Sequence, residues 1–227
     1  MKKRVLSIFF ILIISMLGLV SCDIVKGKDY VATGNEYFEF IEREGDTYAL
    51  DVKDGVTLPE KVKLPSEYNG KPVVEIVANA FKNNATIKEV IIPVGYEIIG
   101  IEAFAYCAKL SSVNVGQYGV GDAKGLTIRA SAFKGCSNLT SVTLGECVEN
   151  IDAYAFYETG VIEINNRGLK KVGYCAFGNC SSLKRFYVPA TLVQIDEGAF
   201  NGSKGVSFEV SSSNPVYVGE DGKLVTK

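Results

Sequence analysis

Histidine is absent from the 227 residues of this sequence, and its absence removes several kinds of catalytic site. Without an imidazole, neither a Ser-His nor a Cys-His nucleophilic pair can be assembled. A zinc site would need thiolates alone, but the chain has no C-x-x-C pair, and its last five cysteines are 29, 11, 28 and 5 residues apart. Such spacings match no zinc signature. The sequence therefore predicts no metal site and no cofactor.

An acid-pair hydrolase is an enzyme class that the missing histidine does not exclude. The candidate carboxylates are Glu102, Asp152, Asp196 and Glu197, which lie at matching points shortly before an Ala-Phe pair. Polar residues at such repeated points are typical of turns or helix starts. We therefore predict no catalytic residues and a protein that is not an enzyme.

Basic residues have no excess over acidic ones beyond the first few residues. Lys2, Lys3 and Arg4 precede an almost wholly apolar run at residues 5–20, which has the layout of a secretory signal. The run is short for a bilayer span, which needs about 20 residues. Removal of residues 1–21 leaves 21 cations against 26 anions, a net charge of −5. This balance offers no basic surface to a nucleic acid.

The end of the apolar run, Leu19-Val20-Ser21-Cys22, resembles the lipobox of bacterial lipoproteins. In that family the cysteine is acylated and becomes the mature N-terminus, so the resemblance implies a lipid anchor on Cys22. Several acyl chains hold a protein durably at a membrane, at roughly 0.8 kcal/mol per buried CH₂. The alternatives are an ordinary signal peptide that contains a cysteine, or a signal anchor. The resemblance implies the bacterial cell envelope, and we expect the outer surface rather than a periplasm-facing location.

The central feature of the chain is an Ala-Phe pair that recurs with a regular spacing. Its phenylalanines are separated by 23, 29, 23, 21 and 23 residues, and they are Phe81, Phe104, Phe133, Phe156, Phe177 and Phe200. An aliphatic residue lies five positions before each of them, and alternating apolar residues that follow, such as Val113 and Val115, are typical of a β-strand. Recurrence at 20 to 30 residues predicts a solenoid, whose stacked turns bury one another's apolar edges. The six phenylalanines are then expected to form a buried spine.

The repeated pattern I-x-x-x-A-F-x-x-C-x-x-L-x-x-V-x-L resembles the BspA-like, or treponemal-type, leucine-rich repeat of bacterial surface proteins. The resemblance covers about residues 62–227 and includes the tail from Ser213 to Val225, which looks like the N-P-x-Y … D-G-x-L segment of that family. It implies a β-rich, right-handed leucine-rich-repeat solenoid of about six repeats with a parallel sheet on its concave side. It also implies binding or adhesion at a cell surface.

Turn signals and composition divide the chain further. Alternating runs flank Gly45-Asp46 and predict a hairpin, and Asn69-Gly70 predicts a second turn. A glycine-rich insertion at residues 116–125 explains the single 29-residue step and is expected to be a surface loop. The predicted segments are a signal peptide (1–21), a tether (22–34), an N-terminal β cap (35–72), the repeats (73–210) and a C-terminal tail or cap (211–227).

Three cysteines share one position in the repeat. Cys107, Cys136 and Cys180 each follow a phenylalanine by three residues, where a free thiol would act as a small buried hydrophobe. Cys147 and Cys175 lie outside this position. A Cys175–Cys180 or cross-repeat disulfide is the alternative in an oxidising envelope.

The outward positions of the predicted strands form the candidate binding face, since solenoids bind partners on extended concave surfaces. These residues are Lys88, Glu89, Ser111, Ser112, Asn114, Thr140, Ser141, Thr143, Glu163, Asn165, Lys184, Arg185 and Tyr187. We expect a protein partner, with a glycan as the alternative ligand. Serine and threonine can also simply fill solvated strand positions. The second hypothesis for the whole chain is a non-catalytic accessory lipoprotein that packs permanently in an envelope complex.

Overall fold

The computed structural model describes residues 31–32, 36–116 and 124–227 and shows a β-solenoid of about seven turns. Most turns contribute two short strands, one before the Ala-Phe pair and one after it. In chain order, the strands of the described residues are β1 (Val31–Ala32), β2 (Phe38–Arg43), β3 (Thr47–Val52), β4 (Lys61–Lys63), β5 (Glu67–Tyr68), β6 (Lys71–Ile76), β7 (Glu89–Ile92), β8 (Ile98–Ile99), β9 (Ser112–Val115), β10 (Leu126–Ile128), β11 (Ser141–Leu144), β12 (Val148–Ile151), β13 (Glu163–Ile164), β14 (Lys171–Val172), β15 (Arg185–Val188), β16 (Gln194–Ile195), β17 (Ser207–Val210), β18 (Tyr217–Glu220) and β19 (Lys223–Thr226).

What we call the first sheet contains strands that follow Ala-Phe pairs, together with β1 and β4, which precede the first pair. It runs β1-β4-β7-β9-β11, and β13-β15-β17 form a separate three-stranded sheet from the later turns; all of these pairs are parallel. Val90, Val113 and Val142 are in register, so apolar side chains stack from turn to turn. The predicted parallel sheet is confirmed, while its concave position and the hand of the solenoid stay predictions.

A second sheet contains the strands that precede the Ala-Phe pairs. It runs β2-β3-β6-β8-β10-β12-β14-β16 and aligns Ile76, Ile99 and Ile128, which lie five residues before their phenylalanines. The expectation of one sheet was therefore incomplete. Several of these strands are only two or three residues long, which is too short for period-two alternation to be visible in the sequence.

The six phenylalanines form the predicted spine. Successive rings from Phe81 to Phe200 are stacked with centroids 4.5, 5.1, 5.1, 5.3 and 5.6 Å apart and interplanar angles of 12° or less. Phe38 extends the spine at its N-terminal end through an edge contact with Phe81 at 6.0 Å. The spine phenylalanines pack with the buried side chains of the strands before and after them. Together they form a single continuous core.

The Ala-Phe pair itself forms a tight corner, which we call the Ala-Phe corner. Residues two before and two after the phenylalanine have positive φ, as at Glu102 (53°) and Tyr106 (59°). Their amides donate to the next turn, because the Glu102 N–H bonds to Ala130 O at 3.1 Å and the Tyr106 N–H to Lys134 O at 2.7 Å. A left-handed conformation costs a non-glycine residue about 1–2 kcal/mol. The hydrogen bonds between successive corners, which form a ladder beside those of the two sheets, offset that cost.

The N-terminal segment contains the predicted hairpin and an additional turn. β2 and β3 are antiparallel around residues 44–46, and β5 and β6 are antiparallel around Asn69-Gly70, which confirms both predicted turns. However, β3 pairs in parallel with β6 and β4 with β7, so residues 47–63 already follow the repeat geometry. Val31–Ala32, within the predicted tether, pairs in parallel with β4. Strands of the two sheets are thus present in both the tether and the cap, the segments that the sequence analysis placed before the repeats.

The C-terminal tail packs through its Asn-Pro-x-Tyr segment. The buried Asn214 amide donates to Pro189 O and Leu192 O, and its Oδ1 accepts the Val216 and Tyr217 N–H groups at 2.8 and 2.7 Å. The Tyr217 hydroxyl accepts the Ile195 N–H at 2.8 Å. Beyond this point β18 and β19 form an antiparallel hairpin.

Candidate functional site

The candidate binding residues lie on or beside the outward sides of the first sheet and of the three-stranded sheet β13-β15-β17, which together we call the strand face. Along β9, Val113 and Val115 are buried at 1% and 0% exposure, whereas the alternate residues Ser112 and Asn114 are partly exposed. This alternation follows from the pleat of a strand, which sends successive side chains to opposite sides. The structure therefore places the predicted residues on one side of the sheet.

Register brings these side chains into two rows. Glu89, Ser112 and Ser141 are direct neighbours across β7, β9 and β11. The second row contains Ile91, Asn114 and Thr143. Neighbouring strands are about 4.7–4.9 Å apart, so each row is a regular ladder with one side chain per turn.

The later turns carry the charged part of the candidate set. Glu163 pairs with Arg185, and Arg185 pairs with Ser207 in register; Tyr187 is a neighbour of Glu209. The Arg185 guanidinium donates to the Glu163 carboxylate.

Four further candidates precede their strands and support them through the backbone. Ser111 N donates to Lys88 O at 2.9 Å, and Thr140 N donates to Ser111 O at 3.2 Å. The Ser111 hydroxyl also donates to Lys88 O at 3.1 Å. Lys184 N donates to Ile162 O at 2.8 Å in the later turns. Lys88, Ser111, Thr140 and Lys184 thus continue the strand face beyond the formal strand ends.

Charge on the strand face is concentrated at its two ends. Near the N-terminal end, Lys61 pairs with Glu89 at 2.8 Å and Lys88 pairs with Glu60 at 2.7 Å. The Lys88 hydrogen bond lowers the pKa of the Glu60 carboxyl, opposed by a smaller effect of burial. The middle of the face is neutral, so it can exchange hydrogen bonds with a ligand without first separating ion pairs.

The middle residues keep their hydrogen-bonding groups for a ligand or solvent. Within the described part of the chain, the hydroxyls of Ser112, Ser141 and Thr143 have no hydrogen-bond partner in the protein. Among the described side chains, Oδ1 of Asn114 is a buried acceptor without a partner. A buried unpaired acceptor costs about 1–3 kcal/mol. These four side chains are adjacent in the two rows.

The outward side of the second sheet differs from the strand face. Ion pairs between successive turns cross it, including Lys124–Glu97 at 2.7 Å and Lys170–Glu149 at 2.7 Å. Arg43 and Glu75 form another at 2.8 Å near the N-terminal edge. Exposed pairs of this kind contribute little stability each. Through these pairs, acidic and basic side chains of this surface neutralise one another.

The cysteines that follow the spine phenylalanines have a more specific role than the sequence analysis assigned. Cys107, Cys136 and Cys180 are fully buried, as predicted. Their thiols donate to Phe81 O, Phe104 O and Phe156 O of preceding turns, each at 3.0 Å. All five cysteines of the described residues are free, so the disulfide alternative is not formed.

The pKa is raised for three of the buried thiols, Cys107, Cys147 and Cys180. The contact with the Cys136 thiol, followed by burial, raises the pKa of Cys107. Burial raises the pKa of Cys180 and Cys147. Nucleophilic thiols require the opposite shift. The described residues contain no group of three or more metal-ligating side chains.

Three of the four carboxylates considered for an acid pair, Glu102, Asp152 and Asp196, have side-chain partners in the structure. Glu102 binds Lys82 at 2.6 Å, and Asp152 lies 3.6 Å from Arg129. Asp196 Oδ1 accepts a hydrogen bond from Gln194 at 2.8 Å. A cavity of about 230 Å³ lies between β17 and the C-terminal hairpin, and no Asp or Glu is among the described residues that line it. These contacts fit the predicted position of the carboxylates at turns.

A group of tyrosines on the Ala-Phe corner was not identified from the sequence. Tyr106 and Tyr174 are 42% and 46% exposed, and Tyr154 and Tyr157 lie between them in sequence with partial exposure. Their spacing could have indicated a common surface, because all four tyrosines lie within three residues of a spine phenylalanine. The positive φ of Tyr106 and Tyr154, however, is not visible in the sequence.

Several predictions fall outside the described residues. These are the signal peptide, the lipobox cysteine Cys22, most of the tether and residues 117–123 of the glycine-rich insertion. In the described part of the chain, no helix has the length and apolar character needed to cross a membrane.

Comparison with known proteins shows what the repeats are similar to. Residues 122–217 match a family model described as the BspA type Leucine rich repeat region, with six copies. The chain is similar to the crystal structure of a T. pallidum leucine-rich-repeat protein, at 24% identity and a TM-score of 0.56, over 78% of this chain and 69% of that one. A search among curated proteins found no match.

Two other crystal structures show the same fold. A leucine-rich-repeat protein from Bacteroides ovatus is 22% identical, with a TM-score of 0.58 over 82% of this chain and 54% of that one. One from Eubacterium ventriosum is 21% identical, with a TM-score of 0.55 over 85% and 46%. The chain therefore spans about half the length of these two proteins. The six phased Ala-Phe turns and the family model over residues 122–217 together identify a BspA-type leucine-rich-repeat region in this chain.

Proposed function

We propose that this chain is a lipid-anchored binding module of a bacterial cell envelope and that its strand face binds a protein partner. The observation that carries the proposal is the neutral middle of the strand face, where Ser112, Asn114, Ser141 and Thr143 are direct neighbours in register. Parallel strands hold these groups rigidly, so little conformational entropy is lost when a partner binds.

The chemistry of the strand face supports a reversible protein contact. Hydrogen-bonding groups fill its middle, while Tyr187 and the Glu163–Arg185 pair lie towards the C-terminal turns. Tyrosine and arginine are enriched among residues that dominate protein-interface energies. On the second sheet, by contrast, ion pairs such as Lys124–Glu97 and Lys170–Glu149 join successive turns. We therefore assign the partner to the strand face.

The N-terminal sequence supports the location. A basic start, an apolar run and the segment Leu19-Val20-Ser21-Cys22 together favour export and acylation. The structural neighbours from Bacteroides ovatus and Eubacterium ventriosum are bacterial leucine-rich-repeat proteins, which supports a bacterial setting. A module held at the membrane by Cys22 would present the strand face to a partner at the cell surface, where adhesion is one use of such a contact.

Site-specific photo-crosslinking in cells of the native host tests this function. A photoreactive phenylalanine analogue is placed at Ser112 or Ser141 on the strand face, and at Thr127 or Lys171 on the second sheet as matched controls. Thr127 and Lys171 are partly exposed strand positions like Ser112. We expect a discrete protein adduct from the strand face alone. The proposal is wrong if irradiation gives no adduct from either strand-face position, or the same adduct from both sheets.

A further inference from the structure

The Ala-Phe corner carries a second exposed surface, separate from the strand face. We call Tyr106, Tyr154, Tyr157 and Tyr174 the tyrosine platform. These residues lie in turns outside both sheets and belong to the second, fourth and fifth Ala-Phe turns. Tyr106 and Tyr174 are among the most exposed large apolar side chains of the described residues, at 42% and 46%.

Glycines in the following turn provide the space in which three of these rings lie. A methyl group on Gly135 would come within 2.5 Å of Tyr106 Cδ1, and one on Gly178 within 2.8 Å of Tyr157 Cδ2. One on Gly198 would approach Tyr174 Cε2 to 3.0 Å. Each ring therefore lies directly against the backbone of the next turn, which leaves its outer side to solvent.

Further contacts hold the rings in place. Asn179 Nδ2 donates to the Tyr157 hydroxyl at 2.7 Å. The Lys134 ammonium lies 5.9 Å from the Tyr154 ring centroid and 5.6 Å from that of Tyr157, which is within cation–π range. Tyr154 also packs edge-on against Tyr157 and Tyr174 at 5.4 and 5.6 Å. The rings are therefore already ordered in the folded protein, so little side-chain conformational entropy is lost when a ligand binds.

We propose that the tyrosine platform binds a neutral, linear oligosaccharide. The faces of pyranose rings that carry C–H groups stack on aromatic rings, and the hydroxyls around the sugar bind amides and hydroxyls at the ring edges. The platform offers both, because Asn179 and Asn201 lie beside the Tyr157 and Tyr174 rings. Tyrosine suits such a site, since its ring is apolar and its hydroxyl remains hydrated.

The dimensions of the platform fit a chain of sugars. Turns of a parallel solenoid rise about 4.7–4.9 Å each, so Tyr106 and Tyr174, three turns apart, are separated by roughly 14 Å along the axis. This length is comparable with that of a short oligosaccharide. The rise per turn is also similar to the length of one hexose in an extended glycan, so a tetrasaccharide can reach from Tyr106, past Lys134 of the third Ala-Phe turn, to the tyrosines of the fourth and fifth turns.

The same geometry is less suited to a protein partner. Protein interfaces concentrate their binding energy on side chains that enter well-packed pockets and lose all contact with water. The platform rings instead lie against glycine backbone and are spread along the axis. Its polar neighbours, two amides and the ring hydroxyls, match sugar hydroxyls. A protein that bound here would be the competing result.

Isothermal titration calorimetry of the folded chain with cellotetraose, laminaritetraose and mannotetraose tests the proposal. Because the chain has no tryptophan, tyrosine emission gives a second readout of the same titration. We expect saturable binding of at least one tetrasaccharide, weakened about tenfold or more by the double variant Tyr106→Ala/Tyr174→Ala. The matched variant Tyr106→Phe/Tyr174→Phe keeps the rings and should bind within about threefold of the wild type.

Two controls keep the result interpretable. Val193→Ala removes an exposed apolar side chain elsewhere, 50% exposed in the wild type, and should leave tetrasaccharide binding unchanged. Circular dichroism of each variant checks that the solenoid is intact. The proposal is overturned if no tetrasaccharide binds, if the double alanine variant binds like the wild type, or if only a protein is captured through these tyrosines. Photo-crosslinking at Ser112 is independent of all these outcomes.

Discussion

At the scale of the residue, the position three after each spine phenylalanine shows how one side chain can tie two turns together. Thiols of Cys107, Cys136 and Cys180 donate across the turn there, and the Ser203 hydroxyl donates to Phe177 O at 2.6 Å. The position therefore selects a small donor as well as a small volume. This explains why cysteine or serine suits the position at Cys107, Cys136, Cys180 and Ser203.

Cys136 is suited to a test of the donor. Cys136→Ala removes the hydrogen bond to Phe104 O and should lower the free energy of unfolding by about 1 kcal/mol. Cys136→Ser keeps a donor of the kind found at Ser203 and should cost less. Urea denaturation of both variants measures the difference. Equal losses would mean that only the volume of the thiol matters.

Alkaline pH should weaken the fold through the same thiols. The pKa values of Cys107, Cys147 and Cys180 are raised in the folded protein, so these thiols stay protonated while unfolded thiols ionise near about pH 8.5. Above that pH the unfolded state binds fewer protons than the folded state, so the free energy of unfolding falls as pH rises; below it the stabilisation is complete.

Urea titrations under reducing conditions, from about pH 7 to about pH 9, measure this fall at least about one pH unit below the ordinary pKa of tyrosine. The control is the double variant Cys107→Ser/Cys180→Ser, which lacks two titrating thiols and should show a shallower pH dependence. A wild-type stability that is flat across this range would contradict the prediction.

Gly135 tests how the Tyr106 ring is held. Gly135 and Gly205 both have positive φ, 71° and 78°, but only at Gly135 would a methyl group meet a neighbour, the Tyr106 ring. Gly135→Ala and Gly205→Ala should each cost about 1–2 kcal/mol for the left-handed backbone. Only Gly135→Ala should shift the Tyr106 ring resonances in NMR spectra of tyrosine-labelled protein. Unchanged Tyr106 resonances in Gly135→Ala would show that the ring does not lie against this glycine.

At the scale of the element, the phenylalanine spine connects the turns. Phe133 is fully buried, with Phe104 and Phe156 stacked on either side at 5.1 Å. Phe133→Ala should lower the free energy of unfolding by about 3–5 kcal/mol, as a large buried truncation does. Because each turn of a solenoid is stabilised by its neighbours, hydrogen exchange should accelerate most in the adjacent turns.

Phe208→Ala is the control for the spine. Phe208 is only half-buried and lies at the C-terminal end of the aromatic cluster, 5.0 Å from Phe200. Its loss should destabilise less and should accelerate exchange only near the C-terminus. A loss of less than about 1 kcal/mol for Phe133→Ala in denaturant titrations would be incompatible with a stacked, buried ring.

The sequence anticipated the first sheet, the spine and the strand face better than it did the corner. Alternation at Val113 and Val115 and the sixfold Ala-Phe pair carry enough periodicity to assign strands and core. Short strands such as β8 show no alternation, so the second sheet was missed. The outward direction of Tyr106 depends on its positive φ, which is set by hydrogen bonds to the next turn. Such contacts between turns are tertiary and leave no local signal.

At the scale of the whole molecule, two surfaces of different chemistry share one rigid frame. Serine, threonine and asparagine line the middle of the strand face, and tyrosine rings line the Ala-Phe corner. Both surfaces extend along the solenoid axis over several turns, so each offers an extended partner a series of contacts. A module with two such surfaces could bind a protein and a glycan at the same time, provided that the chain is held where both occur.

Membrane attachment should depend on Cys22. If the lipobox is acylated, the wild-type chain will incorporate labelled palmitate and sediment with membranes, since buried acyl CH₂ groups contribute roughly 0.8 kcal/mol each. Cys22→Ser should abolish labelling and leave the protein uncleaved or released. Cys107→Ser is the matched control, because it removes a buried thiol of the solenoid and keeps the lipobox. Continued labelling of Cys22→Ser would place the acyl group elsewhere and would remove the anchor from the proposed function.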